Sequence, residues 1–121
     1  MNDYYVYVYL DPRKPGKYKY GKYRFPYEPI YVGKGKEKRI YAPHTSNFLT
    51  KGKINKIELS NNKIIPKKVY EGLSHEQSLK REKELIKLIG RINIKTGTLT
   101  NLTDGGQGNE GWIVSEETKK K

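Results

Sequence analysis

The chain has no cysteine among its 121 residues, which removes a disulfide framework, thiol chemistry and cysteine-ligated zinc from consideration. No run approaches the ~20 apolar residues that a membrane span requires, and neither a signal peptide nor a basic amphipathic helix stands out. An intracellular location with no membrane partner is therefore expected. Apolar residues are scarce as well, at 34% of the chain with a mean hydropathy of -0.92. Acids are the minority charge, 13 against 25 Lys and Arg, which leaves a net charge of +12. Such an excess favours a polyanionic partner, nucleic acid first. Tyrosine is what the chain has in quantity: 11 residues whose rings carry apolar area and one polar end, so the core should be small and tyrosine-rich. A chain of this length holds one folded domain at most.

Residues 4 to 10 alternate strictly, with Tyr5, Tyr7 and Tyr9 on one face and Tyr4, Val6, Val8 and Leu10 on the other, which predicts a strand buried on at least its aliphatic face. Residues 11 to 29 hold four Pro and two Gly among six basic and five aromatic residues, and this composition predicts a long ordered loop. A short strand at Ile30, Tyr31 and Val32 should stop at Gly33, followed by a helical turn ending at Pro43. Ser46 or Asn47 can cap a helix with a loose apolar stripe at Leu49, Ile54 and Ile57. Residues 64 to 71 suggest a third strand, with Pro66 confining it to an edge or a bulge. The clearest helix starts at Ser74, where Gln77 completes a capping box, and should run to Ile89 before Gly90. The expected class is α+β, a small three-stranded, mainly antiparallel sheet flanked by helices.

Glu82 is the most informative single residue. At about 100° per residue it lies on the apolar stripe of its helix, between Leu79 and Leu85, Ile86 and Ile89. A carboxylate there needs a partner: a salt bridge to Arg81 or another cation, or a metal ion. Gly33, Lys34, Gly35, Lys36, Lys38 and Arg39 form a basic segment suited either to close approach by phosphate or to simple solvation. Arg39 differs from the lysines in having a planar fork that can grip phosphate through two bonds. In the long loop, Lys19, Lys22 and Arg24 join Arg13, Lys14 and Lys17 among tyrosines, a mixture suited to phosphate neutralisation with ring stacking, or to tyrosines that pack the loop onto its own domain. The glycines at 106, 108 and 111 match a dinucleotide fingerprint without its strand-helix context, and are set aside.

The order of these landmarks resembles the GIY-YIG nucleases. Tyr5-Val6-Tyr7 corresponds to the first half-motif and Tyr31-Val32-Gly33 to the second; Tyr5 stands where the family has glycine. Arg39, His44, Glu82 and Asn101 fall where that family places its arginine, histidine, metal-binding glutamate and late asparagine. The wording Tyr-Val-Gly-Lys-Gly-Lys after a Pro-rich insertion is similar to the phage and homing-endonuclease branch. The resemblance implies a catalytic domain over residues 1 to 104. Residues 105 to 121 are similar to a linker and the truncated start of a DNA-binding module.

By that resemblance the activity is hydrolysis of double-stranded DNA with Mg²⁺ or Mn²⁺ on Glu82, and Lys34, Lys36, Lys38, Arg39, Lys19, Lys22 and Arg24 contact the DNA. Tyr7 or His44 would orient or deprotonate the attacking water, Tyr31 would hydrogen-bond water or phosphate, and Asn101 would hold the geometry. One centre per chain implies either a homodimer on DNA or two successive nicks. The alternatives are a non-catalytic basic nucleic-acid-binding module and an RNA-binding protein.

Overall fold

The alternating segment forms the first half of a longer strand in the computed structural model, which describes residues 3–41, 47–103 and 105. This strand, β1 (Tyr4–Tyr20), turns at Gly21 and Lys22 into β2 (Tyr23–Lys36). A short 3-10 turn (Arg39–Tyr41) follows, then α1 (Phe48–Leu59), β3 (Ile65–Leu73) and α2 (His75–Ile89). The strands form one antiparallel sheet in the order β2-β1-β3. The expected α+β architecture, a small three-stranded sheet with helices, is present. Among the described residues no helix is long and apolar enough to cross a membrane.

Two expectations are corrected. Residues 11 to 29 are a β-hairpin rather than a loop, and β2 runs through Gly33 to Lys36 rather than stopping at Gly33. The prolines misled because each was taken as a strand breaker. Instead the β1–β2 pairing slips between Tyr9 and Leu10, between Asp11 and Pro15, and between Pro15 and Tyr18, so the irregularities absorb residues that cannot donate to a ladder. Beyond the slips, Tyr18 pairs with Phe25 and Tyr20 with Tyr23. That is a period-two aromatic face hidden inside a loop-like composition. Gly21 takes φ 58, the left-handed backbone needed at the first position of a two-residue hairpin turn.

Both faces of β1 are buried. Val6, Val8 and Leu10, joined by Val32 of β2, pack against Leu85, Ile86 and Ile89 of α2 and against Leu99. Each such side chain contributes roughly 1.5–3 kcal/mol by leaving water. The hairpin bends over this cluster, so that Tyr18, Tyr20, Tyr23 and Tyr27 cover it from outside. On the opposite face Tyr5, Tyr7 and Tyr9 pack with Ile30, Ile40 and Ile57, the last from α1. Helix α1 is capped by the Asn47 side chain, which accepts from the backbone N–H groups of Leu49 and Thr50. Helix α2 carries the Ser74–Gln77 capping box and ends at Gly90, where φ is 95. Pro66 lies in β3, an edge strand, opposite Tyr9.

Candidate catalytic site

Three tyrosines on one strand face could serve the same chemistry by sequence, and the structure separates them. The Tyr5 hydroxyl donates to the Glu37 carbonyl at 2.8 Å and accepts from the Ile40 N–H at 2.9 Å. The Tyr9 hydroxyl donates to the Ile40 carbonyl at 2.9 Å. Both phenols are thus occupied in holding the 3-10 turn that carries Arg39. Tyr7, between them, instead turns its hydroxyl toward the Arg39 guanidinium and the Tyr9 phenol.

The glycines of β2 make this possible. Gly33 lies directly opposite Tyr7, and a β-carbon added there would sit 2.5 Å from the Tyr7 Cζ and hydroxyl. A β-carbon on Gly35 would sit 2.5 Å from the Arg39 Cγ. The Gly-Lys-Gly-Lys segment, read from sequence as a flexible basic loop, is therefore the end of a strand whose bare positions accept two side chains lying across it. Arg39 reaches Tyr7 along this surface while remaining exposed to solvent.

Tyr31 pairs with Tyr9 on the same face, with ring centroids 5.7 Å apart and nearly parallel planes at 26°. Its ring lies 6.4 Å from that of Tyr7. The strand beneath it is fixed from its outer edge. The Asn101 amide donates to the Val32 carbonyl at 2.8 Å and accepts from the Val32 N–H at 3.0 Å. One residue earlier, Thr100 donates from its backbone N–H to the Ile30 carbonyl at 2.7 Å. Asn101 thus supplies both halves of a ladder pair to a strand edge, between Tyr31 and Gly33.

Glu82 comes to the same place from α2, within electrostatic reach of Tyr31. It is half-buried rather than enclosed; the fully buried stripe of α2 is Ser78, Leu85, Ile86 and Ile89. A β-carbon on Gly105 would approach the Glu82 Oε1 to 3.1 Å, so a bare position also borders this carboxylate. Arg81, its neighbour in sequence, pairs instead with Glu84 at 3.1 Å and stacks over Tyr70.

Burial governs the protonation of the phenols. It pushes Tyr7 up, and the opposing hydrogen bond from Tyr9 and charge of Arg39 do not overcome it. Nearby cations therefore do not lower the Tyr7 pKa as the sequence reading allowed. Tyr31 is raised by burial, by Tyr7 and by the Glu82 carboxylate; Tyr9 is raised by burial and by Tyr7. At neutral pH all three are neutral phenols.

The remaining candidates divide. Lys34 and Lys36 flank the Tyr4 ring at 5.7 and 5.5 Å, and with Lys38 and Arg39 they line an open groove beside the site. Lys19, Lys22 and Arg24 lie at the tip of the hairpin, at the far end of β1 from Tyr7, and form a separate surface. His44 and residues 106 to 121, including the DNA-binding module expected there, lie outside the described residues. Among the described residues no three or more His, Asp or Glu side chains cluster as a metal site. The contributions of Tyr5 and Tyr9 were missed from sequence; their period-two spacing with Tyr7 was the available signal. Compared with protein families, curated proteins and solved structures, the chain has no significant match.

Proposed function

We propose that this chain is the catalytic domain of a metal-dependent DNA endonuclease of the GIY-YIG type. The observation that carries the reading is the convergence of Tyr7, Tyr31, Arg39 and Glu82, from three separate elements, into one electrostatically connected group. Asn101 is bonded to the strand beneath them. The net charge of +12 and the lysine-lined groove beside Arg39 suit a phosphodiester substrate in double-stranded DNA.

Glu82 is the residue that would hold a divalent ion. A lone carboxylate is a sparse ligand set, yet it fits an ion that keeps several waters and takes a substrate phosphate oxygen, and the bare Gly105 beside Oε1 leaves space there. Mg²⁺ or Mn²⁺ bound at this carboxylate supplies Lewis-acid stabilisation of charge on the phosphate and the leaving oxygen. Arg39, exposed and braced by Gly35, grips the phosphate from the other side through its planar fork. Tyr7 stays protonated at neutral pH, so its hydroxyl orients the attacking water by hydrogen bonding rather than by removing its proton. Tyr31 bonds the water or the phosphate. One centre per chain cuts one strand, so double-strand cleavage takes two chains or two successive nicks.

The test is nicking of supercoiled plasmid with Mg²⁺, with EDTA, and with a Glu82→Ala protein. Cleavage should require the metal and the carboxylate, with DNA binding retained in the variant. Metal-independent binding with no cleavage by the wild-type protein would favour the rival reading, a non-catalytic nucleic-acid-binding module.

A further inference from the structure

The hairpin tip lies away from the tyrosine cluster, and its two faces are chemically opposite. Tyr18, Tyr20, Tyr23 and Tyr27 turn inward against the core that α2 covers. Lys17, Lys19 and Arg24 alternate with them and are exposed. Lys19 and Arg24 are direct cross-strand partners, and like charges in that position repel. No acidic residue occurs between Asp11 and Glu28 to relieve the repulsion. Those two acids are already engaged at the base of the arm, Asp11 with Arg13 at 2.9 Å and Glu28 with Lys53 at 3.8 Å and Lys14 at 3.9 Å. Among the described residues, Lys17, Lys19 and Arg24 form no ion pair. They border a shallow groove along the ribbon, with Gly16 and Pro26 between them.

Lys22 does not belong to this set. Its ammonium sits 5.5 Å from the Tyr23 ring and 5.8 Å from the Tyr70 ring, on the clasp that ties the tip to β3.

We propose that Lys17, Lys19 and Arg24 form a second phosphate-binding surface, which holds duplex DNA by its backbone at a distance from the cleavage site. The rings that could stack on bases are turned inward, so contact through this face is charge on phosphate and carries no sequence preference. A two-stranded ribbon is also narrow enough to enter the duplex major groove with its cations toward the phosphates. The choice of DNA rests on the endonuclease reading; the cationic face does not.

The test is equilibrium binding of the full chain to a duplex oligonucleotide across a salt series, with the Glu82→Ala protein as background to prevent cleavage. Into it are placed Lys17→Gln, Lys19→Gln and Arg24→Gln together. All three side chains are exposed, so circular dichroism should be unchanged. Each lost phosphate contact reduces the slope of log K against log salt by about 0.9, so the triple variant should be shallower by roughly 2–3 and weaker by on the order of a hundredfold at low salt. A version carrying Lys17→Arg and Lys19→Arg should bind like the background protein. An unchanged slope would overturn the proposal, as would a preference for duplex RNA over duplex DNA. If the plasmid is never cut yet the slope falls, the endonuclease reading fails and the ribbon surface stands.

Discussion

Replacing Asn101 tests the clamp that fixes the strand under Tyr31. Its amide satisfies the N–H and the C=O of Val32 at 3.0 and 2.8 Å, and the side chain is only 8% exposed. Asn101→Ala leaves both backbone groups buried without their partner, at about 1–3 kcal/mol each, so a loss of roughly 2–5 kcal/mol is expected. Against a total stability of about 5–15 kcal/mol this is large, and a 3 kcal/mol loss lowers the melting temperature by roughly 12–24 °C. Asn101→Asp gives a sharper reading. Its carboxylate still accepts from the Val32 N–H, but its second oxygen faces the Val32 carbonyl and bonds it only when protonated. Folding therefore pushes that carboxyl up. The aspartate variant's stability is fully present below the unfolded value of about 3.9 and is lost as pH rises through the higher folded value. Urea denaturation followed by circular dichroism should place it near wild type in acid and near the alanine variant at neutral pH. An alanine variant within about 0.5 kcal/mol of wild type, or an aspartate variant with no pH dependence relative to it, would refute the argument.

Three further outcomes are expected. Gly33→Ala pushes a methyl against the Tyr7 phenol, which is 3% exposed and has little room to yield; denaturation should show a loss of about 1–3 kcal/mol, and nicking should fall at least tenfold. Spectroscopic titration should show exposed tyrosines ionising near the ordinary value, with Tyr7, Tyr9 and Tyr31 following only at higher pH. Tyr23, raised to about 12 by burial and its bond to Tyr70, should also ionise late. Because these folded values are raised, their contribution to stability is complete below about pH 10 and is lost above it, so the urea midpoint should decline only there; simultaneous titration of all 11 tyrosines would contradict this. Tyr23→Phe removes the hydroxyl bond to Tyr70 that ties the hairpin tip to β3, and should cost about 0.5–1.5 kcal/mol and speed tryptic cleavage after Lys22.

The sequence by itself determined the local devices. The alternation of residues 4 to 10, the Ser74–Gln77 capping box, the stop at Gly90 and the helical phase of Glu82 are all short-range patterns, and each defines an element from neighbours within a few residues. The four site residues were legible for the same reason, each falling at a marked place on such an element. Tertiary structure decided what depends on pairing between distant strands. Pro12, Pro15, Pro26 and Pro29 look like a loop until register slips against the partner strand accommodate them, and only that partner reveals the aromatic face of the hairpin. Likewise, nothing local distinguishes Tyr7 from Tyr5 and Tyr9. The backbone of the 39–41 turn, folded back from more than 30 residues away, occupies two of the three phenols and leaves Tyr7 against Arg39.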